Sequence, residues 1–191
     1  MQDNKLLINY DELPISVNQY LKPTSRISGG RPLAYMYEST EAKDFKKRFQ
    51  AFLKRAVRDQ EWDINQTAEG HWILECIFIQ SRTNQDNNNY YKILCDAMSG
   101  IAFIDDKNIL VQTKMVMYDA KNPRFSAVLK KAPYIGIFKD EAQFEEFKTS
   151  NCTSCKKNTD KCAIIKKSIE GRIQPDIQFE PTGYICSKKK L

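Results

Sequence analysis

The chain has a single histidine in 191 residues, His71. It sits beside Gly70 at the start of an apolar run with no nucleophile to pair with it, which argues against histidine acid–base chemistry. Long apolar runs are also missing near the start. MQDNKLLINYDELP sets acidic residues around a four-residue apolar run, so it is expected to be neither a secretory signal nor a membrane span. The chain is therefore expected in the cytoplasm, without a membrane partner. There its six cysteines are expected to be reduced thiols or metal ligands rather than a disulfide framework. Cys76 and Cys95 lie in apolar runs and read as buried side chains.

What is present suffices for one domain of ordinary size with a small appendage. Apolar residues make up 41% of the chain and charged residues 28%, enough for a core and unlike a disordered chain. The net charge of +6 is concentrated in Lys43–Arg58 and Lys156–Lys190, which favours a polyanionic partner through counterion release.

LLINY alternates as a first strand. Residues 12–39 are rich in Pro, Ser and Gly. Gly29-Gly30, set among Lys22, Arg26, Arg31, Tyr20, Tyr35 and Tyr37, reads as a mobile loop, either a plain connection or an arm that touches phosphates and stacks on bases. Ser39 or Thr40 can cap a helix whose stripe is Phe45, Phe49, Phe52, Leu53 and Ala56. HWILECIFIQS, ILVQTKMVMYDA and RFSAVLK read as strands, the last two separated by a turn at Lys121-Asn122-Pro123. A helix from about Asn89 to Ser99, stopped by Gly100, lies between the first of these and the pair. The order predicts an α+β fold, a small mixed sheet with two helices, in a domain of residues 1–133.

The chemistry gathers in QDNNNYYKILCDAMSGIAFIDDKNI. Asn88, Lys92 and Asp96 are four apart and share a helix face, while Ile93, Leu94 and Ala97 pack inward. Asp86 precedes that helix, and Asp105-Asp106 follow a second apolar run that can fold back beside its first turn. Carboxylates converging from separate elements with a lysine nearby suit a Mg²⁺- or Mn²⁺-dependent phosphodiesterase, because a hard cation takes oxygen ligands and lysine steadies negative charge. The plain alternative is a helix cap at Asp86, a surface ion pair at Lys92 and Asp96, and a turn at Asp105-Asp106.

The same string resembles the RusA-type Holliday junction resolvases, whose pattern is D-x-D-N, a lysine, an aspartate in a D-A-L context, then an acidic pair. Asp86 falls on the first aspartate, Asn89 on the asparagine, Lys92 on the lysine, Asp96-Ala97-Met98 on D-A-L and Asp105-Asp106 on the pair. PISVNQYL looks like the family's proline-serine-asparagine segment, and the likeness runs over about residues 5–130.

The resemblance implies a nuclease acting on branched DNA in a bacterial or phage-infected cell, working as a homodimer. It implies catalytic Asp86, Asn88, Lys92, Asp105 and Asp106, with Mg²⁺ on Asp86, Asp105 and Asp106. Asn89 and Asp96 are expected to support these groups, and Asn18, Tyr20, Lys22, Arg26 and Arg31 to contact DNA. One position departs: Asn88 stands where the family usually has its second essential aspartate. Three accounts stay open, a natural variant with a neutral oxygen ligand, an engineered substitution, or a junction-binding protein that has lost catalysis.

From about Tyr134 the composition changes, with a helix expected over Asp140–Lys148. Cys152, Cys155 and Cys162 are spaced C-x2-C-x6-C, and Cys186 follows after 23 residues. Four thiolates complete a tetrahedral shell, so residues 134–191 are expected to form a basic module stapled by Zn²⁺ or, as the alternative, a [4Fe-4S] cluster. The resemblance does not extend to this module. The lysines around these cysteines make it a candidate further DNA contact; an RNA-binding zinc module is the competing class.

Overall fold

Alternation in KLLINY buries Leu6 and Ile8 and leaves their neighbours outside, forming β1 (Lys5–Tyr10). The computed structural model that gives this strand describes residues 4–157, 161–181 and 183–190. The chain divides into two units, Met1–Ala68 with Ile73–Lys130, and Glu69–Trp72 with Lys131–Leu191.

The first unit carries α1 (Val17–Tyr20), β2 (Leu21–Ser28), β3 (Arg31–Glu38), α2 (Thr40–Asp59), β4 (Trp72–Gln80), α3 (Tyr91–Met98), β5 (Ile109–Tyr118) and β6 (Arg124–Lys131). Four strands form a sheet ordered β1-β6-β4-β5. β1 and β6 pair antiparallel from Lys5 opposite Lys130 to Tyr10 opposite Phe125. Lys114 binds Glu75 and the Asp119 amide binds the Gln80 carbonyl, both at an offset of 39 residues, which is the register of parallel strands β4 and β5. α3 lies in the crossover between them.

Ser39 caps α2 by accepting from the Ala42 amide at 3.2 Å. The apolar stripe then buries Ala42, Phe45, Phe49 and Leu53, with Phe52 half-buried beside them. Tyr10 meets Phe45, Phe49, Phe52 and Phe125 at centroid distances of 5.0–6.1 Å, so β1, α2 and β6 share one aromatic cluster. Cys76 is fully buried in β4 and Cys95 nearly so in α3. Burial pushes both thiols up, Cys95 to about 12, so neither is reactive near neutral pH.

Residues 21–38 form a ribbon rather than the expected loop. Gly29 and Gly30 both have positive φ, 59° and 76°, and these are the two central residues of a tight hairpin that β-carbons disfavour. β2 and β3 pair antiparallel from Leu21 opposite Glu38 to Ser28 opposite Arg31. Opposed residues share a face. One face therefore carries Lys22, Thr24, Arg26, Arg31, Leu33, Tyr35 and Tyr37, and the other Pro23, Met36, Ala34, Ile27 and Pro32.

The second unit holds α4 (Glu141–Asn151), α5 (Ala163–Ile169), β7 (Ile177–Glu180) and β8 (Gly183–Cys186). Asp140 caps α4 by accepting from the Gln143 amide at 2.8 Å. Phe138, Phe147, Ile165 and Ile177 make a small core, and Cys152, Cys162 and Cys186 pack against it. Asn151 ties α4 to β8, donating to the Tyr184 carbonyl at 3.1 Å and accepting from the Cys186 amide at 2.9 Å. At Gly136 a β-carbon would meet the Ser168 carbonyl oxygen at 1.8 Å, so only glycine fits.

The centre expected on Cys152, Cys155, Cys162 and Cys186 is not borne out. Burial and then the neighbouring Cys162, Cys186 and Cys155 push the Cys152 thiol up, which places the four thiols in one neighbourhood. Among the described residues, however, no three His, Cys, Asp or Glu side chains form a group that can hold a metal ion. Three of these cysteines, Cys152, Cys162 and Cys186, pack against an apolar core that the sequence spacing does not disclose.

Candidate active site

Asp86 ends the loop after β4 and opens a 3-10 turn, Asn87–Tyr90, that leads into α3. Its side chain accepts from the Asn88 amide at 2.9 Å, so the carboxylate holds the turn while its other oxygen is free. Asn87 donates to the Thr113 hydroxyl at 2.7 Å, and the Tyr91 hydroxyl meets the same atom at 2.5 Å. β5 thus anchors the turn from the side. Asp86 and Asn88 are both exposed, whereas Asn89 is half-buried.

The helix face predicted for Lys92 and Asp96 is formed. Lys92 Nζ lies 2.7 Å from Asp96 Oδ1, and the Tyr20 hydroxyl donates to Asp96 Oδ2 at 2.5 Å. Burial pushes Asp96 up, but the hydrogen bonds from Lys92 and Tyr20 outweigh it and hold the carboxyl below its usual range. Asp96 in turn raises Lys92 above an ordinary lysine, with Asp106 adding to the effect. The ammonium is therefore charged at neutral pH and restrained from beneath.

Asp105 and Asp106 follow a loop fixed at several points. The Trp62 indole donates to the Ala102 carbonyl at 2.8 Å, and the Thr67 hydroxyl accepts from the Ile104 amide at 3.1 Å. Asp105 caps the next turn through the Lys107 amide at 3.1 Å, and that bond holds its carboxyl below the usual range. Asp106 opens the turn, is exposed, and faces Lys92 closely enough to stabilise its charge. The structure therefore brings Lys92, Asp96 and Asp106 together, while Asp86 stands at the head of the same helix.

Asp86 and Asp105 each commit one oxygen to a turn, and no three carboxylates converge among the described residues. Mg²⁺ ordinarily keeps waters and takes one or two carboxylates together with substrate phosphates. The carboxylates of Asp86, Asp105 and Asp106 fit that donor chemistry, with the second Asp105 oxygen 3.4 Å from the Lys107 ammonium, which a cation would displace.

Of the residues expected to touch DNA, Asn18 is exposed and Lys22, Arg26 and Arg31 lie along one face of the ribbon. Lys22 reaches Glu41 at 3.6 Å and the Arg26 guanidinium sits 5.6 Å above the Tyr35 ring. Tyr20 is placed differently. Its ring is 6% exposed, with Lys46 5.7 Å above it, and its hydroxyl is committed to Asp96, so it is not free to stack on a base. Tyr20 and Thr113 are the supporting groups that sequence reasoning missed, because each lies far along the chain from the residue it holds.

A family profile, Endodeoxyribonuclease RusA, matches residues 20–128, more than half the chain. A search of curated proteins found no match. The matched span runs from Tyr20 into β6 and takes in the Asp86 turn, Lys92, Asp96 and Asp105-Asp106, and with it the chain belongs to the RusA endodeoxyribonuclease family.

Proposed function

We propose that this chain is a divalent-cation-dependent, structure-selective endodeoxyribonuclease that resolves Holliday junctions or similar branched DNA. The observation that carries the reading is the restrained Lys92 ammonium, held by Asp96 on one side and faced by Asp106 on the other, within the span that matches the nuclease family.

Asp86, Asp105 and Asp106 would hold Mg²⁺ or Mn²⁺, with Asn88 contributing a neutral oxygen. A cation there supplies charge neutralisation at the scissile phosphate and lowers the pKa of water, which is the chemistry hydrolysis needs. Lys92 binds a phosphate oxygen and offsets the charge that develops as water attacks phosphorus. Asp96 and Tyr20 hold that ammonium in place, so the side chain loses less freedom when DNA arrives. Lys22, Arg26 and Arg31 steer the phosphate backbone along the ribbon.

The second reading is a junction-binding protein that does not cut, and Asn88 favours it, since an amide replaces an anion at the cation site. The two are separated by gel shift and cleavage on a four-way junction. Cutting with Mg²⁺ or Mn²⁺ that Asp106→Asn abolishes, with junction binding retained, is the expected result. Tight junction binding with no product for this chain or for Asn88→Asp selects the binding protein.

A further inference from the structure

The ribbon of β2 and β3 is a sheet of its own, and its turn lies in open space: a β-carbon built at Gly29 or Gly30 would meet no atom within 4 Å. Its base is fixed to the candidate active site. The Ser39 amide donates to the Tyr20 carbonyl at 2.9 Å, Lys46 pairs with Glu38 at 3.0 Å, and the Tyr20 hydroxyl holds Asp96. Eight residues in each strand carry the turn about 25 Å from that base.

Ser28 and Arg31 flank the two-residue turn as a hydrogen-bonded pair, so Ile27 and Pro32 form the next, non-hydrogen-bonded pair, where facing side chains lie closest. They make one apolar knob behind the turn, with Ile27 80% exposed. Pro23 and Pro32 both occupy such positions, so the amides they lack would have pointed outward, one from each strand. Both edges of the ribbon are therefore blunted against a further strand. No acidic residue occurs from Leu21 to Tyr37, and Arg26 and Arg31 each adjoin a member of the apolar pair. A tip of this charge repels its own copy and fits a polyanion.

We propose that Ile27 and Pro32 are a wedge that enters the base stack at the branch point of junction DNA, while Arg26 and Arg31 hold the phosphates beside it. Isoleucine and proline are among the side chains that part base steps, and the cost is the stacking that is lost. Where the arms of a junction meet, stacking is already interrupted, so insertion there costs less than within a duplex. The ribbon thereby selects branched over linear DNA. Through Tyr20 and Asp96 at its base, it also sets the branch point at a defined reach from Lys92. The proposal rests on the proposed function for its substrate, but it concerns binding and does not require the cut.

The test uses the full chain, without divalent cation, on a four-way junction carrying 2-aminopurine at the branch, whose fluorescence rises when the base is unstacked. Binding of the native chain is expected to raise the signal several-fold. Ile27→Ser with Pro32→Ser should abolish the rise and weaken junction binding at least tenfold, with duplex binding changed less than twofold and the circular-dichroism spectrum native. Ile27→Leu, which keeps an apolar side chain, should keep the signal. A bound junction with no rise overturns the proposal, as does a rise that survives in the folded double variant. A double variant whose mass in sedimentation equilibrium differs from that of the native chain also overturns it, because the pair then serves contact between copies. Mg²⁺ is added afterwards to read cleavage separately. A rise without cleavage supports the wedge and counts against the nuclease reading, whereas cleavage without a rise overturns the wedge alone.

Discussion

Tyr20 donates its hydroxyl to Asp96 at 2.5 Å across 76 residues of sequence, and Asp96 passes its other oxygen to Lys92 at 2.7 Å. The first residue of the family match is thereby joined to the lysine beside the acidic pair. A buried ring, a half-buried carboxylate and an exposed ammonium form one line from the core to the surface.

That line makes stability depend on pH in a definite way. Asp96 is depressed in the fold, so its contribution is present above the unfolded carboxylate value near about 4 and disappears as pH falls through the lower folded value. Lys92 is raised, so its contribution holds below about 10.5 and is lost as pH rises through the folded value. Asp96→Asn should cost about 1 kcal/mol or less at pH 7, since the Lys92 side chain is 55% exposed and the pair is screened. Urea melts should show the difference shrinking below about pH 4. Asp96→Ala should cost more, on the order of 1–3 kcal/mol, because the buried Tyr20 hydroxyl then loses its acceptor.

Asn88→Asp should strengthen divalent-cation binding. Unit charges about 4 Å apart interact by roughly 4 kcal/mol at an effective dielectric near 20, and desolvation cancels part of that. At least a tenfold fall in the Mg²⁺ concentration needed for half-maximal cleavage is the expected result. An unchanged Mg²⁺ titration would mean that the Asn88 position does not face the cation.

The ribbon gives a prediction about salt. Arg26→Ala and Arg31→Ala should each weaken junction binding and lower the slope of log affinity against log salt by about 1, because each removes one phosphate contact. Tyr20→Phe leaves the cationic face intact and should leave that slope alone while reducing cleavage. A salt slope that does not respond to either arginine would place the DNA elsewhere on the unit.

The aromatic cluster sets stability rather than chemistry. Phe49 is fully buried against Tyr10, Phe45 and Phe125, so Phe49→Ala should destabilise the first unit by about 3–5 kcal/mol in a denaturant melt. Lys47→Ala, on the solvated side of the same helix, should fall within about 0.5 kcal/mol of the native chain.

Local chemistry made much of this fold legible in the sequence. The α2 stripe, its Ser39 cap, the four sheet strands and the Lys92–Asp96 pair depend on residues within one helical turn or one strand, where spacing alone sets which side chains meet. The glycine pair signals a turn without saying whether its flanks pair; Tyr35 and Tyr37 opposite Thr24 and Lys22 make them a ribbon. The cysteine spacing points to a metal centre and says nothing of the apolar core that Phe138, Phe147, Ile165 and Ile177, dispersed over α4, α5 and β7 and the loop before α4, build beside those thiols.

By itself the sequence determined the four sheet strands, the helices α2, α3 and α4, the nuclease resemblance and the set of acidic and basic groups at Asp86–Asp106. The tertiary structure decided which of them touch: Tyr20 under Asp96, Asp106 beside Lys92 and Thr113 behind the Asp86 turn. The reason is physical. Helix and strand periodicity act over a few residues and can be read locally, whereas a hydrogen bond between residues 76 apart exists only once packing has brought both ends to the same place.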